Sequence, residues 1–391
     1  MARRARAGIV AAEDPLTGSS IRGGRRNHLT LGRGILSTMK KGDIDTPALI
    51  LDLDIAEENI RVMGAYFAAR PQKLRPHFKT PKTPEIARRQ LAAGAIGITA
   101  SKLGEVEVLA RAGLGPVLLA NQIAGAQKVD RFFAASARVD LIGTVESAFN
   151  VRELEAGASR AGRSADVIIE VDTGMHRCGT ESVEETIELA RLIARSRLKY
   201  RGVMGYEGHA VLVPDAEKRT AIARKALATL SRHVEALREA GFAPEIVSAG
   251  GTGTFDIAGS WPEVTEVQAG SYVFMDGAYR IVRPDLGRPA LTLLATVISR
   301  RRDHAIIDAG MKSLTNEFGA PVGKEIPVKI AGLSEEHGHL VVGESSLEAG
   351  AKVELIPSHN DTTINLHSEY YVVRGDEVIA IWPIEGARAY R

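Results

Sequence analysis

One lysine in the sequence stands in surroundings that favour covalent chemistry: Lys79, in the stretch Arg75-Pro-His-Phe-Lys-Thr80. The stretch closes an apolar segment and precedes a run that takes on helical spacing near Pro84. Burial and neighbouring cations lower the pKa of a lysine amine, which then acts as a nucleophile toward a carbonyl carbon. Because most lysines are solvated surface charges, this interpretation depends on the other motifs of the chain.

A glycine-rich run has the composition of a phosphate-binding turn and follows a predicted strand at Glu245–Ala249. Its residues are Gly250, Gly251, Thr252 and Gly253. Glycines let backbone amides approach a phosphate closely, and the threonine hydroxyl adds a further donor. An isolated Gly-Gly-Thr-Gly is more often a flexible turn, but the strand before it favours the phosphate-binding interpretation here.

Candidate metal ligands lie near the end of the chain, in Ile356-Pro-Ser-His-Asn-Asp-Thr-Thr-Ile-Asn-Leu-His367. His359 and Asp361 alternate across Asn360, so in an extended segment both side chains project the same way. An imidazole and a carboxylate on one side can ligate a divalent cation and leave positions for water and substrate. The pattern His-x-Asp is common by chance, so the pair gains weight only from the rest of the chain.

Composition narrows the class of protein. The 391 residues are 45% hydrophobic and 25% charged, with a net charge of +2, which is ordinary for a soluble chain of two domains. Bulk charge therefore indicates neither nucleic-acid nor membrane binding, and no apolar run reaches the roughly 18 residues that span a bilayer. Cys178 is the only cysteine, which excludes an internal disulfide and favours a reducing, cytoplasmic location.

Residues 1–40 are rich in arginine and glycine, and we expect them to form a disordered basic leader.

The remaining pattern predicts two domains. Over residues 41–283, strand-like and helix-like segments alternate in units of roughly 20 to 40 residues, which predicts a (β/α)8 TIM barrel. Over residues 284–391, short β-branched segments separated by glycines or charged turns predict an antiparallel β domain, and the strand at Ile44–Leu53 could join it. Active sites of such barrels lie at the carboxyl ends of the strands. The motifs that follow predicted strands are Lys79, Asp172–Gly179, Tyr206–His209 and the glycine run.

The order of these motifs resembles that of the pyridoxal-phosphate enzymes of the alanine-racemase type. The matching segments are Thr46–Leu53, Arg75–Thr80, Val171–Gly179, Ala249–Thr254 and Gln268–Tyr272. The resemblance implies that Lys79 holds pyridoxal 5'-phosphate as a Schiff base and that Arg177 contacts the phenolic oxygen of the cofactor. It implies that Gln268 faces the pyridine nitrogen, where alanine racemases present an arginine. The further cofactor-binding residues implied are Tyr206, Gly251, Thr252, Gly253, Gly270, Ser271 and Tyr272.

Within this family the chain is most similar to the D-threonine aldolases, which hold a metal on a His-x-Asp pair, whereas the D-serine and D-3-hydroxyaspartate dehydratases carry His-x-Cys. Asp308–Ser313 and Ser334–Gly338 also resemble this branch. The chain departs from it near the predicted site, where relatives have other residues in place of Pro81, Glu207 and Thr362. These departures bear on which substrate is used and on which type of reaction is catalysed.

The resemblance implies a carbon–carbon lyase that cleaves D-3-hydroxy amino acids, such as D-threonine, to glycine and an aldehyde. A divalent metal on His359 and Asp361 would activate the substrate; Mn²⁺ or Mg²⁺ suits these ligands, with Zn²⁺ as a further option. His77, His209 or a metal-bound hydroxide would serve as the base. The alternatives are a dehydratase of the D-serine or 3-hydroxyaspartate type, an amino-acid racemase, and a non-catalytic pyridoxal-phosphate carrier.

The resemblance also implies a homodimer with shared active sites. In such a dimer the β domain of one subunit covers the barrel mouth of the other. On this expectation His359 and Asp361 reach the partner's Lys79.

Overall fold

A computed structural model describes residues 39–325, 328–343 and 345–391, which form a barrel and a β domain. Of the predicted basic leader, residues 1–40, all but Met39 and Lys40 lie outside the described residues. In the described part of the chain, no helix is both long and apolar enough to cross a membrane.

The barrel consists of eight parallel strands, which confirms the predicted fold. After β1 (Ala48–Asp52), its strands are β2 (Lys73–Leu74), β3 (Ile98–Ala100), β4 (Val117–Leu119), β5 (Leu141–Val145), β6 (Ala165–Glu170), β7 (Leu198–Met204), β8 (Ile246–Ala249) and β9 (Glu266–Val267). They pair in the order β2-β9-β8-β7-β6-β5-β4-β3. A parallel bridge between His77 and Thr99 joins the two ends and closes the ring. Helices cover the outer face of a closed parallel sheet, which accounts for the near-continuous apolar runs of its strands.

Helices connect the barrel strands and surround them. They are α1 (Leu53–Ala68), α2 (Pro84–Ala92), α3 (Leu103–Arg111), α4 (Ala126–Ser136), α5 (Ala148–Ala161), α6 (Val183–Ala194), α7 (Ala216–Glu239), α8 (Phe255–Ala258) and α9 (Gly277–Val282). Several begin at side-chain caps that the sequence displays: the Asp52 carboxylate accepts from the Ile55 amide, and Ser182 forms a capping box with Glu185. Such caps satisfy amide groups that have no partner within the helix.

The β domain is a nine-stranded sheet that includes β1, the first strand of the described residues. Its other strands are β10 (Leu291–Arg300), β11 (His304–Ile307), β12 (Val322–Gly323), β13 (Lys329–Leu333), β14 (Gly338–Val341), β15 (Lys352–Ile356), β16 (Glu369–Arg374) and β17 (Glu377–Pro383). Strand β10 pairs with both β15 and β11, so six of these strands form a ring. Strand β1 lies between β10 and β16, antiparallel to the first and parallel to the second.

One element differs from the sequence prediction. We expected an extended segment through His359 and Asp361, but the chain forms a short helix, α10 (Asn360–Ile364), immediately after His359. His359 keeps extended backbone angles, with φ −143° and ψ 132°, and stands at the N-cap position of that helix. The two predicted metal ligands are therefore brought together by a strand-to-helix corner and not by strand alternation.

The β domain is fastened to the barrel at the turn that carries Lys79. The hydroxyl of Tyr370 in β16 donates to the carbonyl oxygen of Pro81 at 2.9 Å, and the Gly386 amide donates to the Lys82 carbonyl at 2.8 Å. The Tyr370 ring also packs edge-on against Phe274, with ring centroids 5.8 Å apart. Because Tyr370 is fully buried, this contact fixes the β domain relative to the Lys79 turn.

Candidate active site

A cavity of about 380 Å³ opens at the carboxyl ends of the barrel strands, where the fold predicts an active site. It brings together most of the residues singled out in the sequence, although they come from different strands. The predicted residues that line it are His77, Lys79, Arg177, Tyr206, Gly251, Thr252, Gln268, Gly270 and Ser271. His209, Gly253, Tyr272, His359 and Asp361 are not part of that lining, although Asp361 stands next to Lys79.

Lys79 faces the carboxylate of Asp361 within the same chain. The Lys79 Nζ atom lies 3.8 Å from Asp361 Oδ2, and the Thr80 hydroxyl donates to Asp361 Oδ1 at 2.7 Å. Burial works to lower the pKa of Lys79, but the Asp361 carboxylate and Tyr206 outweigh it, so the pKa is raised above its ordinary value. The expectation of a lowered lysine pKa is therefore wrong for these surroundings, because the nearest charge is an anion.

This arrangement also corrects the expected sharing of the active site. His359 and Asp361 were expected to reach the partner's Lys79. The structure instead places Asp361 beside Lys79 of its own chain, and His359 Nε2 lies 3.8 Å from the same Asp361 oxygen. The contact between Tyr370 and Pro81 holds the two segments together within one subunit.

The two histidines considered as bases occupy different positions. His77 lines the cavity, and its Nδ1 atom accepts from the Lys79 amide at 3.3 Å. Burial, followed by the charges of Lys79, Lys82 and Arg177, holds the pKa of His77 well below its usual value, so the imidazole is neutral. His209 is exposed and stands beside Gly174, outside the cavity lining.

The glycine-rich turn is packed closely, and at Gly253 a side chain would not fit. A Cβ atom at Gly253 would lie 1.9 Å from the carbonyl oxygen of Val211, and one at Gly251 would lie 3.1 Å from the Tyr206 ring. Behind the turn, the buried carboxylate of Glu207 accepts from the Gly250 amide at 3.2 Å and from the Thr254 hydroxyl at 2.5 Å. Glu207, noted in the sequence as a departure that bears on the substrate, therefore supports the backbone of the turn.

The adjoining wall contains the segment from Gln268 to Tyr279. The Gln268 amide donates to the Ser248 hydroxyl at 2.8 Å, and the Thr252 hydroxyl accepts from the Tyr272 amide at 3.1 Å. The Tyr272 phenol turns away from the cavity and accepts from the Gln90 side chain at 3.0 Å. Tyr272 therefore approaches the cavity only through its backbone, whereas the side chain of Tyr279 lines it.

Arg177 stands at the cavity mouth with an acidic residue behind it. One guanidinium nitrogen lies 3.9 Å from Glu170 Oε1, and Glu170 Oε2 accepts from the Gln122 amide at 2.5 Å. Burial raises the pKa of Glu170 despite that hydrogen bond and the charge of Arg177. Burial likewise raises the pKa of the Cys178 thiol, so the thiol remains protonated.

The candidate metal ligands are held by a residue that the sequence analysis did not single out. The buried carboxylate of Asp276 accepts from His359 Nδ1 at 3.0 Å. Burial works to lower the pKa of His359, but the bond with Asp276 and the charge of Asp361 raise it overall. The Nε2 atom of His359 is 3.8 Å from Asp361 Oδ2. Since ligand bonds to such cations are about 2.0 to 2.2 Å long, both atoms can reach one cation between them.

A buried ion pair supports the Lys79 turn from below. Lys82 takes a left-handed backbone conformation with φ 48°, and its Nζ atom lies 2.6 Å from Glu105 Oε1. The other Glu105 oxygen accepts from the amide and hydroxyl of Ser101, which lines the cavity. Breaking such a pair leaves an uncompensated buried charge, so the pair holds the turn and the end of β3 together.

Asp276 and Tyr279 were not predicted from the sequence. The supporting role of Glu207 was not predicted either. A signal for the first was present, since Asp276 precedes a helical segment and aspartate is a favoured N-cap residue. The positions of all three depend on tertiary packing that no local pattern displays.

The donor set of the site fits pyridoxal phosphate and a divalent cation. An amine, a guanidinium group, a side-chain amide and a glycine-rich turn surround one cavity. Next to the amine stand an imidazole nitrogen and a carboxylate at a separation that suits one cation. Lys79, Arg177, Gln268 and the glycine turn would hold the cofactor, and His359 with Asp361 would hold the metal.

Comparisons with known proteins agree with this geometry. Residues 51–277 match the family model of the alanine racemase N-terminal domain, and residues 290–373 match that of a putative serine dehydratase domain. The D-threonine aldolase of Arthrobacter sp is 37% identical over 351 residues, covering 87% of this chain and 92% of that protein. The 3-hydroxy-D-aspartate aldolase of Paracoccus denitrificans is 34% identical over 367 residues, covering 89% and 94%. The crystal structure of D-threonine aldolase from Filomicrobium marinum superposes with a TM-score of 0.88 at 35% identity, covering 90% of this chain and 98% of that one.

Proposed function

The chain belongs to the alanine-racemase-type family of pyridoxal-phosphate enzymes, in the branch of the D-threonine aldolases and D-serine dehydratases, and we propose that it is a metal-activated aldolase. Family membership confirms the resemblance seen in the sequence. Its relatives that are named aldolases are carbon–carbon lyases. In this proposal the substrates are D-3-hydroxy amino acids such as D-threonine, and the products are glycine and an aldehyde.

The observation that carries the proposal is the position of Asp361, whose Oδ2 atom lies 3.8 Å from both Lys79 Nζ and His359 Nε2. In a 3-hydroxy amino acid the α-carbon carries the amine, and the neighbouring carbon carries the hydroxyl. If the substrate amine takes the place of the Lys79 amine, the hydroxyl is only a few bonds away from it. The hydroxyl group therefore comes close to the proposed cation. A site that racemises an amino acid needs no such pair of ligands, so this geometry favours chemistry at the 3-hydroxyl.

Chemistry is divided between the bound groups and the side chains. When bound, pyridoxal phosphate supplies an electron sink for the pair released from the Cα–Cβ bond, and the cation supplies a Lewis acid beside the 3-hydroxyl. Lys79 would hold the cofactor. Thr80 orients Asp361 by its hydrogen bond of 2.7 Å, and Arg177 at the cavity mouth supplies positive charge.

The proton acceptor in this proposal is Lys79. His77 is an unfavourable base because its Nδ1 atom already accepts from the Lys79 amide, which leaves the ring proton on Nε2. His209 stands outside the cavity lining. The Lys79 amine lies 3.8 Å from Asp361, one of the proposed metal ligands, and so would stand close to the proposed cation.

The carboxylate of Asp361 favours an aldolase over a dehydratase. A carboxylate suits hard, exchangeable ions such as Mg²⁺ or Mn²⁺, whereas a thiolate favours zinc. A hard ion that holds the substrate oxygen supports cleavage, because in cleavage the oxygen keeps its electrons and becomes the carbonyl of the aldehyde. A dehydratase must instead expel that oxygen.

The surroundings of His359 favour an apolar substituent on the substrate. Phe318 is half exposed and packs edge-on against the His359 ring, with centroids 5.0 Å apart. Next to it, Glu317 accepts from the Thr362 hydroxyl at 2.9 Å. A methyl or aryl group packs on the Phe318 ring, whereas a second carboxylate meets the negative charge of Glu317. We therefore place D-threonine ahead of 3-hydroxy-D-aspartate as the substrate.

We further propose a homodimer in a reducing cytoplasm, on the basis of the family resemblance and the lone cysteine. In such a dimer each subunit keeps its own Lys79, His359 and Asp361 together, since the three lie in one chain. The partner subunit then covers the cavity mouth without supplying metal ligands. Light scattering of the purified protein gives the mass that tests the dimer.

A single assay tests the proposed reaction. The protein, loaded with pyridoxal phosphate, is incubated with D-threonine in Mn²⁺ buffer, and the products acetaldehyde, 2-oxobutyrate and L-allo-threonine are measured. We expect acetaldehyde and glycine in excess, loss of activity with a chelator, and its return with Mn²⁺ or Mg²⁺. An excess of 2-oxobutyrate would assign the chain to the dehydratases, and chelator-resistant formation of L-allo-threonine, the product of inversion at the α-carbon alone, would assign it to the racemases.

A further inference from the structure

We propose that Asp276 is the positioning residue of the metal site, and that it presents the Nε2 atom of His359 to the cation while it holds Tyr279 at the cavity wall. The inference rests on the proposed metal site and adds a residue to it. Asp276 stands in the loop that follows the cofactor-binding segment, whereas His359 belongs to the β domain. One buried carboxylate thus joins the two halves of the active site.

Both oxygens of the Asp276 carboxylate are engaged, and its side chain is fully buried. Oδ1 accepts from the Tyr279 amide at 2.9 Å and caps helix α9. Oδ2 accepts from His359 Nδ1 at 3.0 Å and from the Asn360 amide at 3.1 Å. The first bond orients the helix that carries Tyr279, and the other two orient the corner that carries the metal ligands.

Backbone contacts reinforce the same junction. The Gly277 amide donates to the Pro357 carbonyl at 2.9 Å, and the Ala278 amide donates to the Ser358 carbonyl at 3.1 Å. The Asn360 side chain donates to the Met275 carbonyl at 2.9 Å. Met275 has a φ of 46°, a left-handed conformation that is unfavourable for a residue other than glycine. The junction therefore holds a strained residue in place, as positions that support a functional site often do.

The bond to Asp276 decides which nitrogen of His359 is available. An ionised carboxylate can only accept hydrogen bonds, so His359 Nδ1 carries the proton and donates it. The lone pair of the ring then lies on Nε2, which faces Asp361 at 3.8 Å. Metal-binding histidines are commonly oriented by a carboxylate in this way, and loss of that partner typically weakens metal binding about 10- to 100-fold.

The variant Asp276→Ser separates the two roles. Serine caps helices about as well as aspartate, so Tyr279 and the cofactor cavity remain in place, but its short side chain offers no second oxygen to His359. The matched control is Asp215→Ser, since Asp215 caps helix α7 through the Lys218 amide at 2.7 Å and makes no contact with the metal site. Mn²⁺ binding to each pyridoxal-phosphate-loaded protein is measured by titration calorimetry.

We expect the dissociation constant for Mn²⁺ to rise about 10- to 100-fold in Asp276→Ser and to stay unchanged in Asp215→Ser. The visible absorbance of the bound cofactor should be the same in both. Activity of Asp276→Ser should recover when Mn²⁺ is raised, because the defect lies in metal affinity. Asp276→Asn is the second variant. Its carboxamide has one oxygen, which can accept from the Tyr279 amide or from His359 Nδ1 but not from both. The variant should therefore lose either helix stability or metal affinity.

Unchanged Mn²⁺ affinity in Asp276→Ser would overturn the inference. So would failure of both variants to fold, since Asp276 would then hold the fold and not the imidazole. The proposed metal site is tested separately by His359→Gln and Asp361→Ala. If these two variants bind Mn²⁺ like the wild type, the metal site itself is wrong, whatever Asp276 does.

Discussion

The amine of Lys79 and the carboxylate of Asp361 lie 3.8 Å apart, although one belongs to the barrel and the other to the β domain. The contact links the predicted covalent centre with the predicted metal site in a single subunit. It also raises the pKa of Lys79 against the effect of burial. The two motifs that the sequence displays most clearly are therefore parts of one site.

The first prediction concerns Lys79. The purified protein should be yellow, and borohydride should fix the cofactor permanently to Lys79, the lysine in the cavity beside the glycine turn. Peptide mapping by mass spectrometry locates the modified residue. Lys102, which also lines the cavity, provides the control: Lys102→Arg should still be labelled, and Lys79→Arg should not. Finding the reduced cofactor on another lysine would show that Lys79 is not the cofactor-binding residue.

The second prediction uses the fact that Lys79 and Asp361 lie in one chain. Asp361→Ala should lose chelator-sensitive activity but keep its cofactor, because the cavity does not include Asp361 in its lining. When Asp361→Ala and Lys79→Ala chains are refolded together, no activity should return, since every site lacks one of the two residues. Recovery of about a quarter or more of the wild-type activity would show that the site is shared between subunits.

The third prediction concerns Glu207 behind the glycine turn. Glu207→Ala removes the acceptor of the Gly250 amide and the Thr254 hydroxyl, and an unsatisfied buried donor costs about 1 to 3 kcal/mol. We expect the dissociation constant for pyridoxal phosphate, measured by absorbance titration, to rise roughly tenfold or more. Glu207→Gln, which keeps an acceptor, should lose less. A changed substrate preference with unchanged cofactor affinity would contradict this role.

The fourth prediction concerns Glu317 and substrate choice. Glu317→Gln removes a negative charge beside His359 while keeping an acceptor for the Thr362 hydroxyl. The ratio of kcat/KM for 3-hydroxy-D-aspartate to that for D-threonine should rise several-fold. Phe318→Ala should lower the value for D-threonine, because it removes the apolar surface next to the His359 ring. An unchanged ratio in both variants would place the substrate side chain elsewhere.

The fifth prediction concerns pH and stability. His233 is buried, and its Nδ1 atom lies 2.8 Å from the Thr186 hydroxyl. Burial, aided by Arg232, lowers the pKa of His233, so the unfolded chain takes up a proton near pH 6.5 that the folded chain does not. Stability is therefore full above that pH and falls as the pH drops below it, by at most about 1.4 kcal/mol per unit for one such group.

The test compares urea unfolding at pH 7.5, 6.5 and 5.5 in the wild type and in His233→Gln. The variant should lose less stability between pH 6.5 and 5.5, although the lowered pKa values of His77 and His367 leave part of the dependence in place. Equal losses in both proteins would show that His233 does not contribute.

The sequence predicted those parts of the molecule that local pattern specifies. Alternation of strands and helices gave the barrel, and strand ends gave Lys79 and the glycine turn. The short helix α10 was missed because Asn-Asp-Thr-Thr-Ile contains poor helix formers and begins at a histidine, which is not a favoured cap. The raised pKa of Lys79 could not be foreseen from the sequence. Asp361, the carboxylate that raises it, lies 281 residues after Thr80, the neighbour of Lys79.

Asp276 illustrates the same limit. Its partners His359 and Asn360 lie 83 and 84 residues further along the chain. A pattern of residue types indicates which side chains can bind a metal, but not which buried carboxylate orients them, because that depends on how the β domain docks on the barrel.

The position of strand β1 has a consequence for synthesis of the chain. It lies between β10 and β16, so it leaves the ribosome long before either neighbour exists and must wait while the entire barrel is made. During that interval both of its hydrogen-bonding edges are free, and an apolar strand with free edges is prone to associate with other chains. A fragment that begins at residue 284 lacks the strand that fills this gap. The barrel and the β domain are distinct in space, but a single cut in the chain cannot separate them, because β1 precedes the barrel and belongs to the β domain.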